Sequence, residues 1–183
     1  MFLFKTITIV AILLAIFLRI PSGIKFFWAI FCLFWYQINF SEFGPDYLAY
    51  KDHYYFLSEQ YHFEAGYESL VKFFKFFNFS FISFYTIISF IGIVLYFNFF
   101  YREIGGRNDS ILLVVPFVCF IFYSVHINTI RQSISILIVL YAIVYIFKGW
   151  KGWVIYVLLV CFATYFHRSS MVAFIFPFVY FLT

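Results

Sequence analysis

Four short stretches of this sequence carry side chains suited to work on a phosphorylated or hydroxylated substrate. One centres on Arg131 in HINTIRQSISILIV, with Asn128 and Thr129 before it and Gln132, Ser133 and Ser135 after it. A guanidinium presents five donors in a fixed plane that match phosphate oxygens in pairs. An arginine at a membrane boundary also sets the depth of a helix, so spacing alone leaves both roles open. The run FHRSS at 166–170 holds His167, a residue type able to take up or release a proton, and Arg168, a second candidate for phosphate. Ser169 or Ser170 would cap a following helix, and a simple cap with a snorkelling Arg168 is the alternative. Glu64 in FEAGY can accept a proton, or hold a sugar hydroxyl or an arginine; it equally suits the wet face of an amphipathic helix. Asp46 and Tyr47 in GPDYLAY, with Tyr50, Tyr54 and Tyr67, offer a carboxylate and rings that stack on sugars. A turn after Gly44 and Pro45 and an interfacial aromatic belt are the competing explanations.

The elements that must position these residues are transmembrane helices. Of 183 residues, 66% are hydrophobic and 11% charged, with a mean hydropathy of +0.98. A soluble domain needs roughly 25% charged residues to wet its surface. The composition therefore implies an all-α, polytopic membrane helix bundle. Aromatics reach 28%, including 32 Phe, which suits helices apolar on all sides and facing lipid. The net charge of +4 is scattered between apolar spans, which argues for orientation signals and against nucleic acid. Cys32, Cys119 and Cys161 lie inside apolar stretches with no metal-binding or disulfide spacing, so neither metal nor cofactor is expected. There is no nucleotide loop and no Asp-x-Asp.

About 20 apolar residues cross a bilayer as a helix. The candidate spans are 2–18, 24–40, 79–101, 110–127, 133–147, 153–166 and 171–183, about six to seven in all. After Lys5 the first resembles a signal peptide, but Arg19 and Pro21 replace a cleavage site, so it reads as an uncleaved span. Basic pairs at Arg19/Lys25, Arg102/Arg107 and Lys148/Lys151 mark one side as cytoplasmic. The N-terminus, the segment 41–78 and the connectors bearing Arg131 and Arg168 then face outward. In that segment Phe63, Tyr67, Leu70, Val71, Phe74 and Phe77 recur at helical spacing, and Glu68 and Lys72 stand four apart. This predicts an amphipathic helix on the outer surface. Residues 1–183 read as a single integral membrane domain whose last span has no polar end, so a continuation past Thr183 is expected.

The ordered set GPDYLAY, FEAGYESL, IRQSIS and FHRSS resembles the EpsG family, related to the Wzy-like polymerases of bacterial exopolysaccharide and O-antigen. The resemblance runs from the second span to the end of the chain. It departs from the family pattern at Gln37–Ile38–Asn39, where an Arg is frequent, at Ala65, where Pro is frequent, and at Ser170, where Ala is common. The resemblance implies a glycosyltransferase-type polysaccharide polymerase, multi-pass in the bacterial inner membrane. It would join oligosaccharide repeat units carried on undecaprenyl pyrophosphate at the outer leaflet. Glu64 and His167 are the candidate proton acceptors. Arg131, Gln132, Arg168, Asp46, Tyr47 and Tyr67 are the candidate pyrophosphate and sugar ligands. The partners implied are the lipid-linked oligosaccharide, the bilayer and other polysaccharide-assembly proteins. Two further readings stand beside it: a flippase-like transporter of lipid-linked sugars, and a non-catalytic membrane assembly protein. Transporters tend to carry paired broken helices, whereas Gly92, Pro116 and Pro177 are isolated here.

Overall fold

A computed structural model describes residues 46–56, 62–103 and 129–178. The expected spans 2–18, 24–40 and 110–127 lie outside the described residues. Every regular element among the described residues is helical: α1 Tyr47–Phe56, α2 Ala65–Phe76, α3 Phe81–Glu103, α4 Ile130–Ile143, α5 Gly149–Phe166 and a 3-10 helix Arg168–Ile175.

The chain divides into two compact units, Met1–Tyr47 with Thr86–Asn128 and Leu48–Tyr85 with Thr129–Thr183. Of the first, the described part is the turn at Asp46, then Tyr47, and the later residues of α3, where Ile88, Ser89 and Tyr96 are buried. The second unit holds the candidate residues from Tyr50 onward.

The amphipathic segment forms two helices, α1 and α2, where the periodicity had predicted one. In α2, Glu68 in the first turn and Lys75 in the last complement the helix dipole. Glu68 and Lys72 lie 3.9 Å apart at the expected offset. Tyr67, Val71 and Phe74 are buried as the stripe predicts, but Phe77 is exposed because the helix has already ended. Asn78 takes a left-handed φ of 57°, the Asn78 amide donates to Lys75 O at 2.9 Å and the Phe79 amide to Phe74 O at 3.1 Å. That paired pattern is a Schellman stop, and asparagine is among the few side chains that tolerate its backbone. Ser80 then opens α3, its Oγ accepting the Ser83 amide at 3.2 Å.

Helix α4 starts three residues before the predicted span and ends four before its predicted limit, giving way to a turn at 144–148. Ala142, Ile146, Tyr156, Val160 and Ala173 form the core that joins α4, α5 and the 3-10 helix. Helix α5, 18 residues or about 27 Å, is the one helix among the described residues long and apolar enough to cross a membrane. It buries Gly152, Tyr156, Val160 and Ala163 on one stripe and exposes Val154, Ile155, Val157, Leu158 and Phe162 on the rest. Phe81–Tyr96 and Ile130–Ile143 are apolar but shorter. Of the expected spans that fall within the described residues, 79–101, 133–147, 153–166 and the start of 171–183, the one at 153–166 is a helix long and apolar enough to cross. The span expected from 171 opens as a 3-10 helix instead. There the Ala173 carbonyl accepts the buried Tyr156 hydroxyl as well as the Phe176 amide, which favours the tighter winding.

Candidate functional site

Glu64 is the residue around which the site is built. Its backbone is extended at the N-cap of α2 (φ −65°, ψ 147°), and its carbonyl accepts the Glu68 amide at 3.2 Å. The side chain makes no cap of its own and turns away from α2. Its Oε2 is ion-paired with Arg131 Nη1. Its Oε1 meets His167 Nδ1 at 3.0 Å and accepts the Arg168 backbone N–H at 3.4 Å. Arg131 is the second residue of α4, and His167 is the extended residue between α5 and the 3-10 helix. Three helix starts thus contribute to one carboxylate.

The side chains of Glu64, Arg131 and His167 are 14%, 19% and 25% exposed, so the cluster is shielded yet reachable. Burial alone would push the Glu64 carboxyl up. Its own backbone hydrogen bond, the Arg131 charge and hydrogen bond, and the Arg168 amide outweigh burial and hold it below the usual carboxylate range. Glu64 is therefore ionised at neutral pH and can only accept hydrogen bonds. Facing an ionised carboxylate, His167 Nδ1 is the donor of this hydrogen bond, so proton exchange at the ring falls to Nε2. A carboxylate held this low is a weak proton acceptor; an imidazole oriented by it is a better one.

Arg131 lies on a bed of rings. Its guanidinium carbon is 4.4 Å from the Phe63 centroid and 5.8 Å from that of Tyr50, and Nε donates to the Tyr50 hydroxyl at 3.4 Å. Tyr50, Phe63, His53 and Tyr67 pack together beneath it, with centroids 4.6 to 6.0 Å apart. Tyr50 and Tyr67 are fully buried. The Tyr67 hydroxyl has no hydrogen-bond partner among the described residues, and burial pushes its ionisation far up, so it stays a neutral donor.

The remaining candidates are dispersed. The Arg168 side chain is exposed and, among the described residues, pairs with no carboxylate. Gln132 is half-buried and accepts the Thr129 hydroxyl at 3.2 Å. Asp46 lies half-buried in the turn before α1, and Tyr47 is buried at its start; both belong to the first unit. The sequence offers Tyr50 as a sugar-stacking or belt residue and Phe63 as part of a helix stripe, and does not reveal either as a partner of Arg131. The only hint was that Phe63 directly precedes Glu64. The buried Ser135–Ser170 hydroxyl bond, which ties α4 to the 3-10 helix, had no sequence signal.

A close approach allows Glu64 to reach His167. A Cβ on Gly66 would lie 2.6 Å from Tyr165 O and 2.8 Å from Tyr165 Cδ1. Beside it Ser69 Oγ, which donates to Ala65 O at 2.8 Å, accepts the Tyr165 hydroxyl at 3.0 Å. Gly66→Ala must push α2 off the end of α5, and a loss of about 1–3 kcal/mol is expected from such overpacking. Ala65→Pro is expected to be tolerated: Ala65 is the first helical residue, and Glu64 already has the extended backbone that proline demands of its predecessor. Melting of the detergent-solubilised protein should show a lowered midpoint for the first variant only.

The model of the EpsG family matches residues 24–183, a stretch that contains every candidate from Asp46 to Arg168. No curated protein and no solved structure matches the chain.

Proposed function

The chain belongs to the EpsG family, which ties it to the membrane and to polysaccharide biosynthesis, and on that premise we propose that it polymerises oligosaccharide repeat units carried on undecaprenyl pyrophosphate at the outer leaflet of the bacterial inner membrane. The observation that carries this reading is the single carboxylate, Glu64, held jointly by Arg131 and His167.

In the proposed reaction an acceptor sugar hydroxyl attacks the anomeric carbon of the donor unit. The bond from that carbon to the pyrophosphate oxygen breaks, and its electron pair leaves with the pyrophosphate. The hydroxyl proton passes to His167 Nε2, while Glu64 holds Nδ1–H and stabilises the imidazolium that forms. Arg131 keeps both Nη2 donors free of described partners, and Arg168 keeps its whole guanidinium. Together they suit the charge that develops on the departing pyrophosphate. Glu64 cancels one of the two guanidinium charges, which leaves the cluster net cationic toward an anion.

Full-length protein in liposomes, given externally added lipid-linked repeat units, is expected to form a polymer ladder. Single units carried to the inner leaflet without being joined would overturn the polymerase reading in favour of a transporter. The outer-leaflet assignment has its own test, with Cys32, Cys119 and Cys161 replaced by alanine. Lys51→Cys on α1 should react with an impermeant thiol reagent in spheroplasts, and Lys151→Cys on α5 only after permeabilisation; both positions are exposed. The opposite pattern would invert the topology.

A further inference from the structure

We infer that Phe63 and Tyr50 are positioning residues for the proposed reaction, a rigid aromatic platform that fixes the plane of the Arg131 guanidinium so that its Nη2 donors remain available to pyrophosphate. The inference rests on Arg131 being the pyrophosphate ligand.

Arg131 meets Glu64 through Nη1 and one oxygen, Oε2. The usual two-bond fork with a carboxylate is not formed, because Oε1 serves His167 and the Arg168 amide. One hydrogen bond leaves a guanidinium free to rotate about it. Two further contacts remove that freedom. The Tyr50 hydroxyl takes Nε–H at 3.4 Å, a second anchor in the plane at a different nitrogen. The Phe63 ring, 4.4 Å below the guanidinium carbon, supports the plane from beneath. That distance is well inside the range of about 6 Å within which a cation is drawn to a ring face.

The platform cannot tilt easily. Phe63 is wedged edge-on against His53 at 4.6 Å and Tyr67 at 5.1 Å, and leans on Tyr50 at 5.4 Å. Tyr50 and Tyr67 are fully buried and Phe63 is half-buried, so the bed under the cation is largely shielded, and attraction to a ring is stronger there than in open water. With Nε and one Nη1 hydrogen engaged, the Nη2 donors have no described partner. Lysine in place of arginine has no plane to stack and no second nitrogen to anchor.

The test uses full-length protein in liposomes with lipid-linked repeat units as substrate and inorganic pyrophosphate as inhibitor. Phe63→Leu keeps apolar bulk and removes the ring face; kcat/KM is expected to fall about tenfold, and pyrophosphate inhibition to weaken by a similar factor. Phe63→Tyr keeps the face and should retain wild-type values. Tyr50→Phe, which removes one oxygen, should lose about threefold, and it carries the same test if Phe63→Leu does not accumulate. In an Arg131→Lys background, Phe63→Leu should cost nothing further, because the plane it supports is gone. An equal cost in both backgrounds, or unchanged pyrophosphate inhibition in Phe63→Leu, would overturn the platform. Wild-type activity in Arg131→Lys alone would instead overturn the assignment of Arg131 on which the inference rests.

Discussion

Glu64→Gln is expected to lower elongation by about 10²–10⁴-fold, the range spanned by a lost proton acceptor or a lost orienting carboxylate. Lipid-linked single units should accumulate while the membrane level of the protein stays normal. Glutamine keeps the shape of the side chain but has one acceptor oxygen where Glu64 uses two, for Arg131 on one side and for His167 and the Arg168 amide on the other. Its amide nitrogen would face either a guanidinium or the donor nitrogen of an imidazole. Both the tautomer of His167 and the seat of Arg131 are then lost in one substitution. The control is Glu68→Gln, one turn along the same helix. Its pair with Lys72 spans 3.9 Å between half-exposed side chains. Such an i,i+4 pair is worth only about 0.2–0.5 kcal/mol, so elongation should be unchanged. Polymer formed equally well by Glu64→Gln and wild type in liposomes would remove Glu64 from the chemistry altogether.

Arg131→Lys should be almost as damaging to elongation as Arg131→Ala, with each reducing it by about 10²-fold or more, the scale of a lost transition-state donor. The two should differ in stability. Lysine keeps a positive charge beside Glu64, so its melting midpoint should stay near wild type, whereas alanine leaves a shielded carboxylate with only His167 and the Arg168 amide. What lysine cannot supply is a plane that donates to Tyr50 and Glu64 from different nitrogens and still presents free donors. An arginine that only set helix depth would be replaced well by lysine, which snorkels equally. Polymer ladders normalised to protein level separate the two cases, and normal ladders with lysine would end the phosphate-clamp role.

Much of the local structure is legible in the residues themselves. Helical class and membrane character follow from the dearth of charge, because too few polar groups are available to wet a soluble surface. The buried stripe of α2 is readable from Tyr67, Val71 and Phe74, and the Glu68–Lys72 pair from its spacing. The stop at Asn78 is written in a side chain that accepts a left-handed backbone, although the stripe alone ran past it to Phe77. The ordered motifs around Glu64, Arg131 and His167 also carry the family resemblance in the linear sequence. These properties are decided by solvation and by neighbours within a turn or two, and a linear chain displays both.

The partners of the motif residues were decided only in three dimensions. Glu64 reads as well for a wet helix face as for a base; that it is a shared ligand of Arg131 and His167 depends on partners 67 and 103 residues away. Their meeting requires α2 to touch the end of α5 at Gly66, a contact set by the absence of a side chain and therefore silent in composition. Tyr67, a candidate sugar ligand by type, turns out to be fully buried, while Tyr50 and Phe63 become the support of a cation. Nothing in a tyrosine or phenylalanine codon distinguishes a belt, a core and a platform. The apolar driving force is common to all three, and only the packing of one ring against its neighbours determines which group it faces.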